Sequence, residues 1–331
     1  MVRFGTHVIA ALAAVSLLAG CGGGSTPAAP DDEVVSIEHI YGSTEITGEP
    51  QRVVALSSVD ADTAAALGVP PVLAPQPPGT EPGTATPWFA DATAGTEVEI
   101  IDVVGGDQGG QIPFEQIAAA DPDLILGTGS GITAQDHATL SDIAPTVAPE
   151  IGEFRDPWFA ITRTIGRALG QPEQAEELVT RTEEVIATAA AENPGFEGRT
   201  FVAALLFATD QFGMLVDTEE STVSLMRGLG FTLQPEVDAL EATSGYATQV
   251  SRERVGLLDS DVTIAYAPDA EVARQYLDDP LVAQLDVVQR DAFIPVDRLL
   301  WGAFRNPSVL SIPYSIEQIV PQLAAVDLGA P

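Results

Sequence analysis

Two α/β lobes with mostly parallel sheets are what this sequence predicts, on three observations. A short pattern occurs twice: residues 115–126 read EQIAAADPDLIL and residues 253–264 read ERVGLLDSDVTI. Each copy offers a first-turn glutamate, a short amphipathic helix, an Asp-x-Asp turn and an apolar strand, so two halves of similar plan are expected. Uninterrupted apolar runs, such as 52–56 and 200–207, are the kind carried by parallel strands buried on both faces. These runs alternate with helical stretches, the order that builds a parallel sheet.

The chain opens with Arg3 and an apolar run from Val8 to Leu18, too short to span a bilayer and ending in small residues. That is the layout of a secretory leader over residues 1–20. Leu18-Ala-Gly-Cys21 closes the run and resembles a bacterial lipobox, which implies cleavage before Cys21 and lipidation there. Residues 21–33, rich in Gly, Pro and Ala, read as a flexible tether. No later stretch resembles a membrane span, so lipid alone is the expected anchor.

A first lobe is expected over 34–155. It begins with a weakly alternating hairpin from Val34 to Thr47 and a buried strand at 52–56. A helix from Asp60 to Leu67 follows, stopped by Gly68, and then a Pro- and Gly-rich loop over 70–86. A strand near 97–101 and the glycine-rich 105–110 lead into the first repeat copy, whose strand runs into Gly127-Thr-Gly-Ser-Gly131. A further helix and Thr146 to Ala148 complete the lobe. The amphipathic stretch Pro157 to Leu169 is expected to be the single crossover helix (156–170), a stiff joint. The second lobe (171–331) starts with a polar helix from Pro172 to about Ala191. The strand at 200–207, the second repeat copy, a strand at 292–296 and a last helix over 307–325 complete it.

Composition excludes several classes. The chain has 14 basic residues, all arginine, against 48 acidic ones, for a formal charge of −34. Such a surface repels nucleic acid and anionic headgroups. One cysteine allows no intramolecular disulfide, and after the leader only His39 and His137 remain as imidazoles. No cluster with metal-ligand spacing appears, so no resident metal is expected. An α/β-hydrolase-like enzyme is the different-class alternative. A nucleophile elbow needs glycine two before and two after its serine, however, whereas Thr128 and Ile132 flank Ser130. No phosphate-binding or dinucleotide fingerprint follows a predicted strand. No catalytic residue is assigned.

Six segments together carry a family likeness: Pro50 to Leu56, Glu115 to Gly127, Ala144 to Pro149, Ile165 to Gly170, Ser251 to Ala265 and Pro307 to Tyr314. In this order and spacing, from Gln51 to Leu323, the chain resembles the substrate-binding lipoproteins of bacterial ABC importers for ferric siderophores, haem and cobalamin. The resemblance implies a class III periplasmic-binding-protein-like fold, two Rossmann-like lobes joined by one long helix, with little closure on binding. It implies a monomer, lipid-anchored on the extracytoplasmic face, that captures a ferric siderophore and hands it to a permease dimer. Iron would be cargo inside the chelate, with no cofactor. Haem or cobalamin is the alternative ligand. Glu115 and Glu253 take the positions of the two glutamates that dock on permease arginines.

Ligands of open parallel sheets lie beyond the carboxyl ends of the strands. The expected cleft therefore takes Ser58, Gly129 and Ser130 from the first lobe. From the second it takes Phe212, Tyr246, Trp301, Phe304 and Arg305, with Arg155 and Trp158 near the crossover. The aromatics offer flat faces to catecholate or hydroxamate arms, although loop aromatics also cap cores. Arg305, and on weaker grounds Arg155 and Arg298, can neutralise an anionic ferric complex. Tyr246 is the candidate axial ligand should the cargo be haem. The acidic balance favours neutral or cationic hydroxamates over anionic catecholates.

Overall fold

The computed structural model describes residues 34–101, 112–152, 155–206, 211–243 and 245–328. The leader, the tether with Cys21 and the glycine-rich 105–110 lie outside these. In the first lobe, β1 (Val34–His39) and β2 (Gly42–Thr47) pair antiparallel as the expected hairpin. Then follow β3 (Val53–Ala55), α1 (Ser58–Ala66), β4 (Leu73–Pro75), α2 (Pro87–Ala92) and β5 (Glu99–Ile101). The first repeat copy gives α3 (Phe114–Ala119) and β6 (Leu124–Leu126), and α4 (Ala134–Ser141), β7 (Thr146–Val147) and α5 (Trp158–Ala168) close the lobe. Its sheet, in the order β5-β4-β3-β6-β7, is parallel throughout. Val53, Val54, Leu124, Ile125 and Leu126 are fully buried, each such side chain contributing about 1.5–3 kcal/mol.

The second lobe follows α6 (Pro172–Glu192). It comprises β8 (Thr200–Leu205), β9 (Gln211–Leu215), α7 (Ser221–Gly228), β10 (Thr232–Leu233), α8 (Pro235–Asp238) and β11 (Ala247–Ser251). The second repeat copy is a kinked 3-10 segment, Arg252–Leu258, leading into β12 (Val262–Tyr266). After it come α9 (Ala270–Leu277), α10 (Asp286–Gln289), β13 (Phe293–Val296), α11 (Arg298–Arg305) and α12 (Ser311–Ala325). The sheet order is β11-β9-β8-β12-β13, with β10 beside β8. Here the expectation of parallel strands holds for β8, β10, β12 and β13, while β9 and β11 run antiparallel to their partners. The link from β8 to β9 has too few residues for a crossover helix, so the chain turns back on itself.

The repeated Asp-x-Asp has a structural reason. The second aspartate of each copy staples the start of the neighbouring strand. Asp123 accepts the N–H groups of Gln51 and Arg52 ahead of β3, at 2.8 and 2.9 Å. Asp261 accepts the N–H and hydroxyl of Thr200 at the start of β8, both at 2.8 Å. One local motif thereby sets the register of the central strand pair in each lobe.

The expected crossover helix, α5, lies chiefly in the first lobe, with Trp158 at its start packing against the second core. The apolar face of α5 (Ile161, Ile165, Ala168) packs with Ile37, Val53 and Leu124 in the first-lobe core. The lobes are bridged instead by α6. Ala175 and Leu178 near its start join that first core, whereas Val185, Ile186 and Ala189 join the second. At 21 residues it is about 30 Å long, enough to belong to both. Its many glutamates disguised it as a surface helix. Gly166 lets it approach α5: a Cβ there would sit 2.2 Å from the Cβ of Ala175.

A second tie joins the lobes through Asp62 of α1. Its buried Oδ2 accepts hydrogen bonds from the Ser308 hydroxyl, just before α12, at 2.6 Å and from Trp88 Nε1 at 2.9 Å. Trp88 in turn packs against Tyr314 of α12, ring centroids 4.6 Å apart. Burial, opposed by these two bonds, pushes the Asp62 carboxyl from 3.8 up to about 7. Between those two values the folded chain holds a proton that the unfolded chain has lost. Stability from this group therefore falls as pH rises from about 4 to 7, and is level above that. Asp62→Asn keeps a neutral acceptor, so its unfolding midpoint should exceed the wild type's at pH 8 and match it near pH 4.5. Denaturant titrations at the two pH values check this; an identical pH slope in the two proteins would contradict it.

Candidate functional site

In the first sheet the strand order reverses direction between β3 and β6, the place where a crevice opens beyond the carboxyl ends. Ser57 caps α1 there, accepting the Asp60 N–H at 3.1 Å and donating to the Asp60 carboxylate at 2.7 Å. The fully buried Asp60 also accepts the Thr128 hydroxyl and, at 3.1 Å, the Gly129 N–H, tying the loop after β6 to α1. Burial raises its pKa, against the pull of those hydrogen bonds. Gly129 is required by closeness, since a Cβ would stand 2.6 Å from the Ser57 hydroxyl oxygen.

This floor borders a cavity of about 710 Å³ between the lobes, within the usual range for small-molecule sites. Val59, Thr128 and Gly129 form one side. Ile151, Arg155, Pro157, Trp158 and Phe159 form the flank where the chain enters α5, largely apolar and with Phe159 37% exposed. The far side is the segment 217–221 with Ser224, Tyr246 and Arg305 to Pro307.

The electrostatics turn on Glu220. It caps α7, one oxygen accepting the N–H groups of Thr222 and Val223 at 2.8 and 3.1 Å. The other accepts from Arg305 at 2.9 Å. Glu220 is 4% exposed, and burial raises its pKa against the opposing charge of Arg305. The Arg305 guanidinium also lies over the Tyr246 ring, 5.0 Å from its centroid, a favourable cation–π placement. Asp156 accepts the N–H groups of Glu150 and Ile151 at 2.6 and 2.7 Å, and burial raises its pKa.

Of the residues expected at the site, Gly129, Tyr246, Arg305, Arg155 and Trp158 line this cavity. Others do not. Ser58 begins α1 beside it without lining it, and Ser130 turns inward, its hydroxyl donating to the Gly127 carbonyl at 2.7 Å. Phe212 and Phe304 are each 1% exposed and Trp301 is 7% exposed, all three within the second-lobe core. Trp301 stacks on Tyr266 at 5.5 Å. Strand β9 and helix α11 turn these aromatics inward, so they cap a core. Arg298 is exposed at the start of α11, outside the cavity.

The segment 217–221 escaped the sequence reading. Its signal was a helix-start pattern, acidic and hydroxyl residues ahead of an apolar run. The buried Ser130 hydroxyl and the His137 ring, 3.1 Å from the Thr146 carbonyl oxygen, form no nucleophile–base pair. The arrangement suits binding.

Comparison with known proteins agrees. The periplasmic binding protein family matches residues 53–297. The Fe(3+)-citrate-binding protein YfmC of Bacillus subtilis is 26% identical over 307 residues, 89% of this chain and 90% of that protein. A periplasmic solute binding protein from Mycobacterium smegmatis superposes with a TM-score of 0.77 at 29% identity, covering 89% of this chain and 99% of the other. Streptococcus pneumoniae PiaA in complex with ferrichrome does so with 0.74 at 25% identity, covering 88% and 97%.

The close packing at Gly129 is testable. Gly129→Ala should displace the Ser57 hydroxyl from buried Asp60 and cost about 1–2 kcal/mol. Adding Ser57→Ala should make the second cost much smaller than in the wild-type background. Additive costs in urea unfolding would show that the two groups do not touch.

Proposed function

The chain belongs to the periplasmic binding protein family, and from that premise we propose that it captures a ferric siderophore between its lobes and delivers it to the permease of an ABC importer. The observation that carries the reading is the interlobe cavity, placed where the first sheet's strand order reverses and flanked by Trp158, Tyr246 and Arg305. A relative of matching fold carries ferrichrome, and another is described as binding Fe(3+)-citrate. The iron is cargo.

Glu115 and Glu253 are the proposed docking points. Both are exposed, each in the first helical turn before the matching central strands β6 and β12. Acylation of Cys21 would tether the domain to the membrane, and among the described residues no helix is long and apolar enough to cross one.

Binding is read directly from fluorescence, because Trp158 lines the cavity. Titration with ferrichrome, ferrioxamine B, ferric citrate, ferric enterobactin, haem and cobalamin should give saturable quenching with at least one ferric siderophore. Trp158→Ala, followed by titration calorimetry because the fluorescent reporter is gone, should weaken that binding by about tenfold. A Soret band with haem, and no response to any iron chelate, would replace the siderophore with haem. Combined Glu115→Ala and Glu253→Ala should abolish radiolabelled-iron uptake in cells while leaving the quenching curve unchanged. Uptake at the wild-type rate would remove the docking assignment.

A further inference from the structure

The lining of the cavity discriminates by charge. Four acidic residues (Asp156, Asp217, Glu219, Glu220) line it, against two arginines, Arg155 and Arg305. Arg305, the more sheltered of the two, is already engaged by Glu220 and by the Tyr246 ring. Glu220 cannot easily yield it, being buried and held by the N–H groups that open α7. Arg155 is exposed at the rim and makes no ion pair among the described residues. An anionic chelate would enter a lining with an acidic excess whose inner arginine is cancelled. A neutral or cationic one would meet carboxylates together with the apolar flank of Ile151, Pro157, Trp158 and Phe159.

We infer that the Glu220–Arg305 pair is a specificity determinant that turns the cleft toward neutral and cationic ferric hydroxamates and against anionic citrate and catecholate complexes. This rests on the proposed capture of a ferric chelate and sets the chain apart from its relative described as binding Fe(3+)-citrate. The effect is local. In a sheltered cleft a charge acts at shorter range and with less screening than the acidic surface as a whole. Glu220→Gln keeps a side-chain oxygen to cap α7 while releasing the arginine charge.

The test is a set of dissociation constants from Trp158 quenching for ferrioxamine B (cationic), ferrichrome (neutral), ferric citrate and ferric enterobactin (both anionic). In wild type the hydroxamates should bind at least about tenfold tighter than either anion at low salt, with the gap shrinking as salt rises. Glu220→Gln should narrow that gap at least about fivefold, chiefly by tightening the anions. Glu219→Gln, at an exposed position whose side chain makes no capping bond, should narrow it less and in the same direction, and guards against a folding defect in the first variant. Tighter binding of an anion in wild type would overturn the inference, as would a ratio unmoved by both substitutions. If no ferric chelate binds at all, the capture reading itself fails, and this inference with it.

Discussion

The width of the cleft depends on α6, whose side chains are divided between two hydrophobic cores. A helix packed into only one lobe could swing with it; one packed into both transmits any lobe movement as a loss of core contact. The Asp62–Ser308 hydrogen bond adds a second tie, well separated in sequence. Breaking it would leave a buried carboxyl short of a partner, a cost of the order of 1–3 kcal/mol. With two ties, moving one lobe against the other costs core contact and a buried hydrogen bond, which favours a preformed cavity. Preformed sites spend less of their binding energy on ordering the protein.

Inside that frame the same local chemistry serves shape and charge. Buried carboxylates recur at the cavity edge, yet each is satisfied differently. Asp60 takes hydroxyls and a backbone N–H, and so shapes the loop that ends in Gly129. Glu220 takes backbone N–H groups and a guanidinium, and so sets the electrical character of the opposite wall. The first is a matter of folding, the second of recognition, and both follow from the need to partner buried charge.

The lobes were legible because parallel strands buried on both faces leave unbroken apolar runs, as at Val53 to Leu56 and Thr200 to Leu205. The repeat was legible too, although its physical cause, strand stapling by Asp123 and Asp261, lies in contacts between residues distant in the chain. What the sequence concealed were relations between distant residues. Helix α5 looks like a bridge by amphipathicity, but which core receives its apolar face is a tertiary fact. Phe212, Trp301 and Phe304 sit where loops should line a cleft, yet the pleat of β9 and the roll of α11 decide that they point inward. Glu220 carries no sequence mark beyond a helix-start pattern. Its partner lies 85 positions away.

In the proposed function, cargo lies between the lobes, against Trp158 on one side and the Tyr246–Arg305–Glu220 group on the other. Anomalous scattering at the iron edge, from crystals grown with ferrioxamine B, locates the metal without assumptions about the rest of the ligand. One iron peak is expected in the interlobe cavity, with α6 and the Asp62–Ser308 bond unchanged from the ligand-free protein. An iron peak elsewhere, such as the groove beside Arg163 and Arg167, or lobes reoriented about a broken α6, would contradict it.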